Sequence, residues 1–375
     1  MSATATAIAA RLFASFILCA CLIPLSAYPQ SKPAPFVFPP GCVDCHSSAG
    51  KYPVRGVRSQ YLTSGHRTLP DASYSNGEGC QKCHTNEGFI EYAATGKVDP
   101  KKTIQNPSEI GCFTCHAPHE RGNFSLRKLT PVTLANGVVF DMGKGNLCAN
   151  CHQARVMPKD EVRVRAILFE PWGAHHGPQS DMLLGTNAYE FPGKTYSKSA
   201  HASLPEANCV TCHMSQPTTP RYALSPSIGG HSMRLGGEVH EAPTLNVAGC
   251  KTCHSDIKQV PRREVFDIKA GADYDGDGAI EPVQDEVQGL LEKLSNKQGT
   301  GALQKISNPI FDAKGKFVEA NKTQQPIEVV ASLYNYKFVL EDGSRGVHNT
   351  RYAVQLLMDS LKSLDKNFDD SRRPK

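Results

Sequence analysis

The stretch Cys209-Val210-Thr211-Cys212-His213 decides how this chain is organised, because its C-x-x-C-H pattern occurs six times. In chain order the other five copies are Cys42-Val43-Asp44-Cys45-His46, Cys80-Gln81-Lys82-Cys83-His84, Cys112-Phe113-Thr114-Cys115-His116, Cys148-Ala149-Asn150-Cys151-His152 and, last, Cys250-Lys251-Thr252-Cys253-His254. Together the six motifs contain every cysteine beyond residue 21. Six copies cannot be a coincidence, and they leave no thiol over for a disulfide.

This spacing indicates covalent attachment of haem c. Two thiols three residues apart can each form a thioether to one porphyrin edge, and the histidine that follows becomes an axial ligand of the iron. We therefore expect six covalently bound haem c groups. The attaching residues would be Cys42, Cys45, Cys80, Cys83, Cys112, Cys115, Cys148, Cys151, Cys209, Cys212, Cys250 and Cys253. The proximal iron ligands would be His46, His84, His116, His152, His213 and His254.

Composition favours a protein with little regular structure around these motifs. The 375 residues are 39% hydrophobic, with a mean hydropathy of −0.37, and include 31 glycines and 26 prolines. Such a chain forms long irregular connections, and six macrocycles would supply much of its apolar surface. We expect a mainly α fold with extensive loops, a haem-packed core, a few short β-hairpins and a C-terminal helical buttress.

The formal net charge of +5 does not describe the haem-loaded protein. Each oxidised haem with two histidine ligands adds roughly −1 through its two propionates, so the mature oxidised form would carry about −2. No basic run indicates nucleic-acid binding. We expect redox proteins as partners, such as quinol-linked or outer-membrane cytochromes.

The first 27 residues are typical of a secretory signal. Arg11 is their only charged residue, and the apolar run Leu12–Leu25 falls short of the ~20 residues of a membrane span. We expect cleavage after Ala27; the alternative is lipoprotein processing at Leu18-Cys19-Ala20-Cys21. The exported protein would be periplasmic, with outer-membrane association or an extracellular location left open.

Four segments follow from these patterns: the signal at 1–27, a proline-rich lead-in at 28–41, a hexahaem domain at 42–260 and a C-terminal segment at 261–375. Val132–Phe140, with Asn-Gly at its centre, predicts a hairpin, and Ile310–Glu319 predicts another. Apolar residues at helical spacing predict helices from Pro282, from Pro326 to about Leu340, and over residues 353–364. One helical turn ending at the histidine suits several of the motifs.

The chain has enough histidines to give every iron a second imidazole. Of its 14 histidines, eight lie outside the motifs: His66, His119, His175, His176, His201, His231, His240 and His348. All eight are candidate distal ligands. His119 follows His116 by three residues and would have to reach a neighbouring haem. One of His175 and His176 would be a ligand, with the other a nearby contact. Met142, Met182 and Met233 are conceivable ligands that this supply makes unnecessary.

This surplus favours an electron carrier over an enzyme, because a substrate-reducing haem needs an open axial position. No C-x-x-C-K variant signals one. The first hypothesis is an electron-transfer cytochrome that relays electrons through six bis-histidine haems in a periplasmic or extracellular respiratory chain. One alternative is a multihaem reductase of nitrite, hydroxylamine or tetrathionate. Another is a polymerising extracellular cytochrome, in which a histidine of one subunit completes a haem of the next.

A second metal site is predicted in the stretch Asp273-Tyr274-Asp275-Gly276-Asp277-Gly278-Ala279-Ile280-Glu281. Carboxylates at alternating positions followed by glycine match the first half of an EF-hand loop. Candidate calcium ligands are Asp273, Asp275, Asp277, Ala279 and Glu281. Gln284 stands where the loop would place glutamate, with Asp285 or Glu286 as substitutes. The alternative is an acidic turn that caps a helix.

Over residues 42–254 the chain resembles a multihaem c-type cytochrome. It also loosely resembles the superfamily of pentahaem nitrite reductases and octahaem cytochromes. That likeness rests on Ser199-Ala200-His201 before the fifth motif, His240 before the sixth, and His348-Asn349 opening a C-terminal helix. The resemblance implies that these three histidines are distal ligands. Nitrite reductases of that group usually bind their catalytic iron through lysine or an unusual site, which this sequence lacks, so the resemblance implies architecture more than nitrite chemistry.

Overall fold

A computed structural model describes residues 54–67, 79–117, 124–158, 174–204, 206–218, 225–306 and 325–375. The signal and lead-in, the first motif (Cys42–His46), His119 and the hairpin predicted at Ile310–Glu319 lie outside these ranges. The remaining five motifs and seven candidate distal histidines lie within them.

Short helices separated by irregular chain form the motif-bearing part. They are α1 (Arg55–Tyr61), α2 (Gln81–His84), α3 (Asn86–Thr95), α4 (Cys112–Cys115), α5 (Gly145–Ala149), α6 (Gln179–Leu184) and α7 (Cys209–His213). Single 3₁₀ turns lie at His201–Ser203, Gly230–Ser232 and Cys250–Thr252. Helix α3 is the best delimited, because the Thr85 side chain accepts the Gly88 amide at its start and left-handed Gly96 ends it.

Three longer helices build the main side-chain core. They are α8 (Val283–Leu294), α9 (Ile327–Asp342) and α10 (Thr350–Leu364), with a 3₁₀ turn at Ala302–Gln304 between the first two. All three confirm helices predicted from apolar periodicity. Their shared core is centred on Tyr334, Phe338 and Tyr352, which are fully buried, and it also takes in Ala154 and Met182 from the motif-bearing part. The C-terminal helices therefore pack against that part of the chain.

The connection between α9 and α10 is sharply defined. Gly343 adopts φ +72°, the left-handed conformation that ends a helix without a Cβ penalty. Asn349 then caps α10 by accepting the Tyr352 amide. Both ends of this turn are thus held by hydrogen bonds, and His348 lies in it.

Strands are few. Strand β1 (Val132–Thr133) pairs antiparallel with β2 (Val139–Phe140), which confirms the predicted hairpin. Strand β3 (Gly236–Val239) pairs antiparallel with β4 (Ala242–Leu245), with Val239 opposite Ala242. The described residues form no larger sheet, so the expected helix-rich fold with short hairpins is confirmed in outline. Among these residues, no helix is both long and apolar enough to cross a membrane.

Candidate haem-binding site

Each described motif folds as a single turn of helix. In four of them the histidine amide donates to the carbonyl of the first cysteine: His84 to Cys80 (3.0 Å), His116 to Cys112 (2.9 Å), His152 to Cys148 (2.9 Å) and His254 to Cys250 (2.9 Å). The fifth, Cys209–His213, is helix α7 itself. One turn brings residues three and four apart to the same side, so the two sulfurs and the imidazole face one region.

That region is a continuous cavity of about 3850 Å³. All ten described motif cysteines and all five described motif histidines lie on its wall. Apolar side chains such as Phe89, Phe140 and Leu183 line it as well, together with Phe113 and Phe124, which are 53% and 54% exposed. Protein interiors are close-packed, so a cavity of this size and lining fits several large, flat apolar groups.

Every described motif histidine faces one histidine from outside the motifs. The ring centroids are 6.0 Å apart for His84 and His175, 6.4 Å for His116 and His231, 6.0 Å for His152 and His66, 6.2 Å for His213 and His348, and 6.2 Å for His254 and His201. The angle between ring planes is 27° for His116–His231 and 41° for His213–His348. In the other three pairs it lies between 73° and 85°.

These separations match two imidazoles that share one metal ion. An imidazole nitrogen binds a transition metal at about 2 Å, and the ring centre lies roughly 1.1 Å beyond that nitrogen, so two rings on opposite sides of one iron have centres about 6.2 Å apart. Rings in van der Waals contact can be closer, as His175 and His176 are at 5.7 Å. The residues present therefore fit a haem iron at each of the five described motifs.

Hydrogen bonds to Nδ1 leave the other ring nitrogen of several paired histidines available to a metal. Nδ1 contacts Phe124 O in His116 (2.9 Å), Gln179 Oε1 in His152 (3.1 Å), His176 O in His175 (3.1 Å), Met233 O in His213 (3.1 Å) and Asp342 Oδ1 in His348 (2.7 Å). Because these oxygens only accept, the proton is on Nδ1 and the lone pair is on Nε2. This is the usual way in which a protein orients a metal-binding histidine.

The orientation of the Gln179 side-chain amide follows from its other hydrogen bonds. Its Nε2 donates to the carbonyls of Glu341 (3.2 Å) and Asp342 (3.1 Å) at the end of α9. Its Oε1 must then face His152 and accept from it. Helix α9 thus holds the ring orientation of a motif histidine far away in sequence.

Burial keeps most of the paired imidazoles neutral. It lowers the pKa of His66 and of His175 to about 4, and it also lowers the pKa values of His84, His152, His201, His213 and His231. Neutral imidazole is the form that binds a metal. These histidines are therefore ready to ligate iron at neutral pH without first losing a proton.

His348 is the exception. Burial would lower its pKa, but the adjacent Asp342 carboxylate raises it above the ordinary value. The Asp342 side chain is itself fully buried, and its second oxygen accepts the amide of Ser344 (3.2 Å) and the Ser344 hydroxyl. Among His116, His152, His175, His213 and His348, only His348 has a carboxylate as the partner of its Nδ1 atom.

Motifs that are distant in sequence touch through their cysteines. Thiol contacts join Cys83 with Cys151, Cys148 with Cys209, and Cys212 with Cys250. The second, fourth, fifth and sixth motifs therefore form one row. Cys115 of the third motif lies close enough to interact electrostatically with Cys148 and Cys151, which places that motif beside the fourth.

Two glycines permit this close packing. A Cβ on Gly145 would stand 3.3 Å from the Cys209 sulfur, and a Cβ on Gly249 would stand 2.3 Å from the carbonyl of Thr211. The second distance is shorter than any real Cβ contact. Glycine at position 249 is thus what allows the sixth motif to lie directly against the fifth.

Three of the candidate distal histidines are not in these pairs. His119 lies outside the described residues. The side chain of His176 is 54% exposed and contacts Glu341 Oε2 at 2.5 Å. His240 is exposed at the turn between β3 and β4, with φ +50°. Within the described chain, neither His176 nor His240 faces a motif histidine at ligand distance, so their predicted ligand roles gain no support from the geometry.

The acidic loop brings three of its predicted calcium ligands together. Oxygens of Asp273, Asp275 and Asp277 all lie within 4.8 Å of one another. The Asp273 carboxylate also accepts the amides of Gly276, Asp277 and Gly278 and pairs with Arg372 at 3.0 Å. Burial and the nearby charges of Asp277 and Glu286 raise the pKa of Asp275. The calcium site stays a prediction.

Glu286, considered above as a substitute ligand, is occupied by the backbone. Its two oxygens accept the amides of Tyr274 (2.7 Å), Asp275 (3.1 Å) and Glu281 (2.9 Å), and the residue is fully buried. Its carboxylate therefore fastens the loop to the first turn of α8. Asp285 pairs with Arg263.

Sequence reasoning did not identify the residues that orient the imidazoles. Gln179 and Asp342 belong to no motif, and the carbonyls of Phe124 and Met233 carry no side-chain signature. Asp342 alone offered a signal, because it is an acidic residue at the end of an apolar helix shortly before a candidate ligand.

Two solved structures are similar to this one. The first is the outer cell wall cytochrome OcwA, with a TM-score of 0.47 and 24% identity over 85% of this chain and 51% of that one. The second is an undecahaem cytochrome from the S-layer of Carboxydothermus ferrireducens, with a TM-score of 0.41 and 17% identity over 87% of this chain and 41% of that one. The chain thus spans about half the length of these proteins or less. No family model and no curated protein matches it.

Proposed function

We propose that this protein is a multihaem c-type cytochrome that transfers electrons through six covalently bound haems, each with two histidine ligands. The observation that carries the proposal is the set of five histidine pairs, each joining a motif histidine to one from outside the motifs at 6.0–6.4 Å. The first motif would hold the sixth haem.

The chain's own residues favour electron transfer over substrate chemistry. Bound haem c would supply an iron that cycles between the ferric and ferrous states. A second imidazole opposite each described motif histidine blocks the position that a substrate would need. The Nδ1 hydrogen bonds hold the rings in one tautomer and orientation, which limits the rearrangement that accompanies each electron. Contacts between cysteines of the second and fourth, fourth and fifth, and fifth and sixth motifs keep the groups they carry next to one another.

The proposal is tested by the haem content and ligand binding of the purified full chain. Intact-mass measurement should show six covalently attached haems. Carbon monoxide added to the reduced protein should leave the visible spectrum unchanged, because both axial positions are taken. Absence of covalent haem would contradict the cytochrome proposal, and carbon monoxide binding to any of the haems would contradict bis-histidine ligation of all six.

The reductase alternative now depends on a single position. Each described motif histidine faces a second imidazole, so this alternative would need its open axial site at the first motif. Turnover of nitrite, hydroxylamine or tetrathionate with a reducing dye, lost on substitution of His46, would favour it. The polymerising alternative predicts filaments or high oligomers, which light scattering on the holoprotein would detect.

Location and partners are proposed from the sequence. The segment at 1–27 supports export to the periplasm or beyond, where haem c is attached in bacteria. A net charge of about −2 in the oxidised holoprotein supports redox proteins as partners rather than nucleic acid.

We also keep calcium as a proposed structural ion at Asp273, Asp275 and Asp277, with Ala279 and Glu281 completing the loop. The three carboxylates lie within reach of one cation, and a cation would offset their mutual repulsion. Calcium added after chelator treatment should then raise the melting temperature, and Asp277→Asn should reduce that rise. Asp256→Asn, at an exposed aspartate outside the loop, is the matched control. No effect of calcium would contradict the proposal.

A further inference from the structure

The Nδ1 hydrogen bond of His348 has a charged acceptor, the Asp342 carboxylate, whereas four other paired histidines contact neutral oxygens. The Nδ1 atoms of His116, His152, His175 and His213 contact carbonyl or amide oxygens at 2.9–3.1 Å. His348 contacts a carboxylate oxygen at 2.7 Å. Charge-assisted hydrogen bonds are shorter and stronger than neutral ones, and the His348 contact is the shortest of the five.

The carboxylate is held in place and shielded from water. Its Oδ1 accepts from His348, and its Oδ2 accepts both the hydroxyl and the amide of Ser344. The Asp342 side chain is 0% exposed, so solvent does not screen its charge. The left-handed turn at Gly343 returns the chain so that Asp342, Ser344 and His348 meet.

We propose that Asp342 is a positioning residue that lowers the reduction potential of the haem held by His213 and His348. A carboxylate acceptor makes the imidazole a more basic ligand, and a buried negative charge stabilises ferric over ferrous iron. The proposal rests on the proposed haem function and goes beyond it by assigning unequal potentials within the array.

The position of this haem in the row of motifs means that its lower reduction potential affects how electrons move along the row. Its motif contacts the fourth motif through Cys209 and the sixth through Cys212. A low-potential haem at this position is the last of the row to accept an electron. When the protein is partly reduced, the haems of the fourth and sixth motifs hold electrons while the haem between them stays ferric. An electron that crosses this haem leaves the donor haem oxidised by one electron and the acceptor haem reduced by one.

The test is a potentiometric titration of the haem-loaded full chain with dithionite, followed by EPR. Imidazole planes closer to parallel than to perpendicular give a rhombic low-spin ferric signal, and His213–His348, at 41°, is one of the two such pairs in the described chain. In the wild type, one rhombic signal should persist until the other haems are reduced. In Asp342→Asn that signal should disappear earlier, because the amide carries no charge.

A second substitution predicts a shift in the opposite direction. Ser344→Ala removes the hydroxyl that shares the charge of the Asp342 carboxylate and that also accepts the His348 amide, while the contact of the Ser344 amide with Asp342 remains. More negative charge then faces His348, so the same signal should persist to lower potential. A merely structural disturbance would not move the potential in opposite directions in the two variants.

Glu341→Gln is the matched control. It removes an equal charge from the neighbouring residue, which contacts His176 and no paired histidine in the described chain. It should move the rhombic signal clearly less than Asp342→Asn does. An equal shift in both variants, or no shift in Asp342→Asn with all haems bound, would overturn the inference. Absence of bound haem in the wild type would instead overturn the proposed function.

Discussion

At the scale of single residues, the sequence limits which histidines can bind iron but not how they pair. Eight non-motif histidines were candidates, and five of them stand opposite motif histidines. His201 lies shortly before the fifth motif, yet it faces His254 of the sixth. His348 faces His213 from the turn between α9 and α10. Pairing depends on the path of the intervening chain, which local spacing does not encode.

His201 and His240 give a direct test of this geometry, because sequence spacing alone treats them alike. His201→Ala should convert one low-spin haem to a high-spin one that binds carbon monoxide when reduced, since His254 loses its facing imidazole. His240→Ala should leave all haems low-spin, because His240 is exposed at a hairpin turn. Optical and EPR spectra of the two variants provide the measurement. The absence of a high-spin haem in His201→Ala would contradict the pairing, and a high-spin haem in His240→Ala would instead identify His240 as the second ligand of the haem at the first motif.

Asp181 predicts a pH dependence of stability. Burial raises its pKa from 3.8 to about 6, although the Ala154 amide and the Asn187 side chain both donate to it. The folded protein therefore keeps a proton that the unfolded chain releases near pH 4. Stability falls as the pH rises from about 4 to about 6 and is constant above that, for a total of roughly 3 kcal/mol.

The substitution that removes this dependence is Asp181→Asn. Asn187 can rotate its amide to accept from the new group, because Asn187 Oδ1 has no hydrogen-bond partner in the described part of the chain. The wild type should lose melting temperature relative to this variant between pH 4 and pH 7. A difference between the two proteins that stays constant over that range would disprove the assignment.

At the scale of elements, regular periodicity was sufficient to predict the three C-terminal helices, but α1, α3 and α6 and one of the hairpins were not predicted. Helices α8, α9 and α10 bury the apolar residues that their sequence spacing indicates. The hairpin β3–β4 was not predicted, because its turn is His240-Glu241, with φ +50° and +60°. Two-residue hairpin turns with positive φ normally contain asparagine or glycine. The flanking ladder, with Val239 opposite Ala242, closes this turn without the usual signal.

The C-terminal tail is fastened to α10 by one of two adjacent arginines. Arg373 forms two hydrogen bonds of 2.8 Å to the buried Asp359 carboxylate, whereas Arg372 pairs with Asp273 near the surface. Arg373→Ala would leave the Asp359 charge buried with weaker compensation, at a cost of about 3–5 kcal/mol.

Arg372→Ala should change stability little, because its side chain is 42% exposed and exposed ion pairs contribute little. Chemical denaturation of the two holoproteins gives the comparison. Equal losses would show that the buried pair has no special role in attaching the tail.

At the scale of the whole molecule, the number of motifs predicts how many haems are attached but not how the motifs are ordered in space. Six C-x-x-C-H motifs predict six attachment sites. The row of second, fourth, fifth and sixth motifs skips the third, which lies beside the fourth. No sequence distance predicts that order. It depends on contacts such as that of Gly249 with Thr211, which follow from the folded backbone.

The central claim is that paired imidazoles cap the irons and make the protein a conductor of electrons. Low-temperature EPR of the fully oxidised holoprotein tests it most directly, because it counts low-spin and high-spin ferric haems. The five described pairs predict two rhombic low-spin signals, from His116–His231 and His213–His348, and three strongly anisotropic ones from the near-perpendicular pairs. A high-spin ferric signal from any of the six haems would contradict the account.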